Sequence, residues 1–189
     1  MTFVPMLALI AATTIAVAAQ QDAPKPVKEF YVATAANTNI DIAAPPLFEI
    51  EITIDRYTTI AEQETLQAAF AKGGQERLLS AIQRAPKVGF YRVPGHLGYE
   101  IRAAFTFRGR DNRRRIILVT DRYVTFNEAA ARPRSLDYPF TVFDMRVDDS
   151  GVGEGQILVA TSVGFDKNGI MLEEFLNAPI RLTKVRQKK

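Results

Sequence analysis

Residues 86–185 form a succession of short segments in which apolar and polar residues alternate, broken by turn residues every ~8–12 positions. Tyr99, Ile101, Ala103, Phe105 and Phe107 alternate with Glu100, Arg102, Ala104, Thr106 and Arg108. Upstream, Phe48, Ile50, Ile52 and Ile54 alternate with Glu49, Glu51, Thr53 and Asp55. A period of two places each set on one face of a strand, so these segments read as half-buried strands. Further strands are predicted at 88–93, 115–120, 140–147, 156–164, 170–175 and 180–185, with 121–127 continuing or re-pairing its predecessor. The run Ile116-Ile117-Leu118-Val119 suggests burial on both faces. Asp166-Lys167-Asn168-Gly169 is a hairpin turn with glycine where a positive φ is needed. Residues 148–155, rich in glycine, read as a hairpin loop. The fold class is mainly β (α+β), an antiparallel β-barrel or strongly curved sheet.

At Thr59 the period changes. Thr59-Ile60-Ala61-Glu62 has capping-box spacing, and Ile60, Leu66, Ala69 and Phe70 recur at helical intervals as far as Gly73-Gly74. Leu78, Leu79 and Ile82 define a second helix that Pro86 closes. Residues 59–85 are thus expected to form an inserted αα-hairpin packed on the sheet.

The N-terminus reads differently. Residues 4–19 are apolar or small and uncharged, and end in Ala16-Val17-Ala18, the small-x-small pattern of a cleavage site. Residues 1–18 are predicted to be a signal peptide, 19–46 a Pro-rich leader with one short strand at 29–34, and 47–189 a single antiparallel β domain. An uncleaved membrane anchor is the competing reading; with cleavage no stable transmembrane span remains. Either way the chain is expected outside the cytoplasm, in the periplasm or beyond.

Of 189 residues none is Cys or Trp and one is His. Disulfides, thiol nucleophiles, Cys-based metal centres and a lipid-anchoring cysteine are excluded, and no cofactor is predicted. His96 sits alone in a Pro/Gly loop, with no predicted catalytic or metal role. Asp148-Asp149-Ser150-Gly151-Val152 departs from a calcium loop because valine cannot ligate at its fifth position. A formal net charge of +3 without any recognised motif gives no case for nucleic acid.

The densest charge is Arg108, Arg110, Arg113, Arg114 and Arg115, opposed nearby only by Asp111. Guanidinium groups recognise phosphate, sulfate or carboxylate in a plane, so this hairpin is a candidate anion clamp, or else a solvated turn. Asp121, Arg122 and Glu128 interrupt the most apolar part of the sheet. They are candidates for orienting a ligand, or for buried ion pairs at a strand bend. Asp121, Glu128 and Asp144 are the carboxylates an enzyme would use.

Lys72-Gly73-Gly74 with Leu78-Leu79, Pro86-Lys87-Val88-Gly89, Thr120-Asp121-Arg122 with Glu128, Leu136-Asp137-Tyr138-Pro139-Phe140, Gly153-Glu154-Gly155 and Ala160-Thr161 form one further pattern. In these the chain resembles a family of exported proteins of unknown function from soil-type bacteria such as Acidobacteria. The resemblance implies a single domain, an export signal and unknown function; with no activity assigned to the family, no catalytic residues carry over from it. Two functions follow as expectations. One is a non-enzymatic binding module for a small apolar or amphiphilic ligand in the cell envelope, with Phe105, Phe107, Phe140 and Phe143 lining a cavity. The other is a structural protein that contacts partner proteins or anionic glycans through the 108–115 hairpin.

Overall fold

The computed structural model describes residues 26–38, 44–109, 111–122, 136–166, 169–175 and 178–188. Its strands are β1 (Pro26–Ala36), β2 (Leu47–Arg56), β3 (Gly89–Arg92), β4 (Tyr99–Ile101), β5 (Ala103–Arg108), β6 (Arg114–Thr120), β7 (Phe140–Val147), β8 (Val152–Asp166), β9 (Gly169–Glu174) and β10 (Ile180–Lys188). Among the described residues the one helix is α1 (Ile60–Arg84). Every strand pairing is antiparallel, in the order β4-β3-β2-β1-β10-β8-β7-β6-β5, with β9 beside β8. The two ends of this path, β4 and β5, are consecutive in the chain, with only Arg102 between them. The Arg102 N–H donates to Val119 O at 3.1 Å, and Thr120 Oγ1 donates to Glu100 O at 2.8 Å. The path therefore curls back on itself as a nearly closed nine-strand barrel.

The interior holds Tyr31, Ile50, Ile52, Tyr91, Ile116, Leu118 and Phe143, all buried. Tyr91 on β3 and Phe143 on β7 are not sheet neighbours, yet their ring centroids lie 4.8 Å apart. That contact crosses the lumen, which the other buried side chains of the cluster also occupy. A second core forms on the outer face, where Ile117, Val119, Val142 and Leu158 meet Leu66, Leu78 and Ile82 of α1. Both faces of β6 are covered, one by the barrel interior and one by the helix, which accounts for its unbroken apolar run.

Thr59 caps α1 as its spacing predicts: Thr59 Oγ1 accepts from the Glu62 N–H at 3.2 Å, and Glu62 Oε2 accepts from the Thr59 N–H at 2.9 Å. The αα-hairpin is corrected to a single helical element. Gly73 (φ −175°, ψ 35°) and Gly74 (φ 57°, ψ −143°) leave helical angles, but the helix runs on across them as one kinked element from Ile60 to Arg84. They bend the axis instead. Just beyond them, Gln75 lies against β8, where Nε2 donates to Val163 O at 2.9 Å and Oε1 accepts from the Val163 N–H at 3.2 Å. The side-chain amide thus completes a strand edge as a neighbouring strand would.

Two boundaries shift. The expected leader contains the eleven-residue β1, which lies between β2 and β10 inside the sheet. The expected loop at 148–155 shrinks to a turn ending at Gly151, because β8 starts at Val152. Residues 1–25 lie outside the described residues. No helix among the described residues is long and apolar enough to cross a membrane.

Candidate functional site

A cleft of about 260 Å³ opens where α1 meets the joint between β4 and β5. Thr58, Glu62, Thr65 and Leu66 line it from the start of the helix, and Ala81, Arg84, Ala85 and Pro86 from its end. A straight helix of this length would hold those ends ~35 Å apart, so the bend at Gly73-Gly74 is what brings them to one site. Arg102 supplies the barrel side of the wall.

Most of the polar groups around the cleft are held in place by partners outside it. Arg56 grips Glu62 through two hydrogen bonds of 2.8 Å, tying the end of β2 to the first turn of α1. Hydrogen bonds from Arg56 hold the Glu62 carboxyl below its ordinary value against the opposing effect of burial, and the Thr59 N–H adds to them. Arg102 Nη1 donates to Ala85 O at 2.8 Å, and Nη2 forms an ion pair with Glu100. Thr58 Oγ1 accepts from the Ala104 N–H at 2.9 Å. Pro86 holds Ala85 in an extended conformation (φ −64°, ψ 145°), which ends the helix and leaves the Ala85 carbonyl free for Arg102. Leu66, Ala81, Ala85 and Pro86 make the remaining wall apolar. Arg84, on the last turn, has no hydrogen-bond or ion-pair partner among the described residues.

Comparison with family models, with curated proteins and with solved structures returns no match.

The residues singled out in the sequence lie elsewhere. Arg108 pairs with Asp149 at 2.9 Å, and Arg113 with Asp111 at 2.9 Å and Glu154 at 3.3 Å. Arg115 is clamped by Asp144 through bonds of 2.7 and 2.8 Å on the outer face of the barrel. Arg114 turns into the barrel mouth and meets Glu29 at 2.7 and 2.9 Å. Every described arginine of the hairpin therefore already faces a carboxylate; Arg110 and Glu128 lie outside the described residues. Asp121 and Arg122 follow the end of β6 instead of continuing it. Asp121 accepts from Gln83 Nε2 at 3.2 Å, and the Arg122 N–H donates to Thr120 Oγ1 at 3.1 Å. Among the described residues no three His, Asp or Glu side chains are grouped to hold a metal.

The four phenylalanines do not share a cavity. Phe143 is in the lumen, Phe105 and Phe140 are under α1, and Phe107 is partly exposed beneath the Arg115 guanidinium, 5.6 Å from its ring centroid. An alternating strand places large side chains on both faces of a curved sheet, and only one face can line a lumen. Arg84 and Arg102 went unnoticed in the sequence because each reads as an ordinary wet-face residue. The helix-stop sequence Arg84-Ala85-Pro86 was the one available signal, since it places a cation at a fixed helix end.

Proposed function

We propose that this chain is an exported, non-enzymatic binding module of the cell envelope that holds a small apolar or amphiphilic ligand in the cleft between α1 and the β4/β5 joint. The observation that carries this reading is the contrast between two spaces. The lumen is closed by Tyr91 against Phe143, whereas the cleft keeps an open volume of about 260 Å³ with an apolar wall and cations at its edge. Ligand sites combine apolar walls with a few placed polar groups, and this cleft lies just below their usual volumes of about 300–1,000 Å³. Export rests on residues 4–19 with their small-x-small ending.

Native mass spectrometry of the protein purified from the envelope of its own host tests the reading. A co-purifying small molecule lost in Ala81→Phe, which fills the cleft, is the expected result. A bound molecule retained by that variant would place the site elsewhere, and a protein partner instead of a small molecule would favour a structural role.

A further inference from the structure

We propose, on the reading that the cleft is a ligand site, that its ligand is a medium-chain monocarboxylate with its head group on Arg84 and its chain along Leu66 and Ala81. The sign of the charge follows from the ionised groups in the wall. Glu62, Arg84 and Arg102 are the ones that line the cleft. Glu62 is answered by Arg56 and Arg102 by Glu100, which leaves one lining cation, Arg84, uncompensated among the described residues.

A helix C-terminus would ordinarily repel an anion. Here that effect is cancelled twice. The Ala85 carbonyl is occupied by Arg102, and the bend of α1 brings the helix N-terminus to the same cleft, so the two ends oppose one another. The net field on an entering ligand is that of Arg84. Its planar fork matches a carboxylate through two parallel hydrogen bonds.

Size limits the rest of the molecule. A volume of about 260 Å³ takes roughly nine groups, each the size of a water molecule. An eight-carbon carboxylate is of that size, whereas a full-length membrane lipid is far too large. Among the described residues no second cation in the wall is free to meet a doubly charged head.

The test is calorimetric titration of the purified protein with octanoate and with methyl octanoate, which shares the chain but lacks the charge. Octanoate is expected to bind at least ~5-fold more tightly than the ester, with Arg84→Gln bringing the two within about twofold. Arg84→Lys keeps the charge without the fork and is expected to fall between. Thermal melts check that each variant is folded. Equal binding of acid and ester by the unmodified protein would overturn the carboxylate assignment but leave the cleft as a site for apolar ligands. Full octanoate affinity in Arg84→Gln would overturn it as well. Saturation by neither ligand would overturn both readings.

Discussion

Arg114 and Glu29, 85 residues apart, form a two-pronged ion pair across one mouth of the barrel, between strands that are not neighbours in the sheet. Glu29 is nearly buried, with 7% of its side chain exposed, and Arg114 is partly so. Tyr31 and Tyr57 donate to the same carboxylate at 2.6 and 3.1 Å. Loss of one partner from such a pair leaves a charge in a poorly solvated place. Glu29→Gln is expected to cost about 3 kcal/mol in urea denaturation, and Glu29→Leu with Arg114→Met together much less. A double variant as unstable as the single would show that packing, not charge, dominates there.

The pH profile of stability should fall on both sides. Burial opposes the charged form of Glu29, but bonds from Arg114, Tyr31 and Tyr57 outweigh it and lower its pKa. Its contribution is present above the ordinary value of 4.5 and is lost as pH falls through the lowered value. Glu174 behaves oppositely. It lies in register with Thr161, neither Glu174 Oε1 nor Thr161 Oγ1 has a hydrogen-bond partner among the described residues, and burial raises the carboxyl to about 7. The folded state holds that proton more tightly, so this contribution is full below pH 4.5 and is lost as pH rises through about 7. Because the side chain is only half-buried, the effect is of order 1 kcal/mol. Chemical denaturation at pH 5 and pH 8 should show the difference, and Glu174→Gln should abolish it.

Gln75 covers an edge that would otherwise face water. Gln75→Ala is expected to cost about 1–2 kcal/mol. It should also speed amide exchange at Val163 by about 5- to 30-fold, since each ~1.4 kcal/mol is a factor of ten, with Ile116 unchanged. Equal acceleration at both positions would mean that the whole fold had loosened.

Two glycines separate backbone strain from collision. At Gly74 a Cβ would meet nothing within 4 Å, so Gly74→Ala costs only the unfavourable angle, about 1–3 kcal/mol. At Gly153 it would lie 1.9 Å from the Arg146 carbonyl oxygen, which belongs to the neighbouring strand backbone and cannot turn away. Gly153→Ala should be the more damaging of the two in urea denaturation, and a reversed order would contradict the close approach of β8 to β7.

Local patterns were legible where local physics decides. The Thr59/Glu62 cap, β2, β7 and the Gly169 turn (φ 124°) follow from spacing and turn chemistry alone. β1 was underestimated because its inward residues beyond Tyr31 are Ala33 and Ala35, which give little hydropathy contrast beside two prolines. Gly153 and Gly155 mimicked a loop, although a close neighbouring strand is what requires them. The arginine cluster displayed its charge but not its partners. Glu29, Asp144, Asp149 and Glu154 lie 29 to 85 residues away and meet the cluster only once the sheet has curled. The cleft was illegible for the same reason, being assembled from a helix start, a helix end and a strand joint.

The pairing of β1 with β10 places Phe30 opposite Lys188, so the first and last described strands are neighbours. β1 gains its second neighbour, and the ring closes, only once β10 has docked between β1 and β8. Until then β1 and β8 keep open edges, exposed to stray strand pairing. Closure of the sheet is therefore a late, long-range event, because the two strands that meet lie at opposite ends of the described residues.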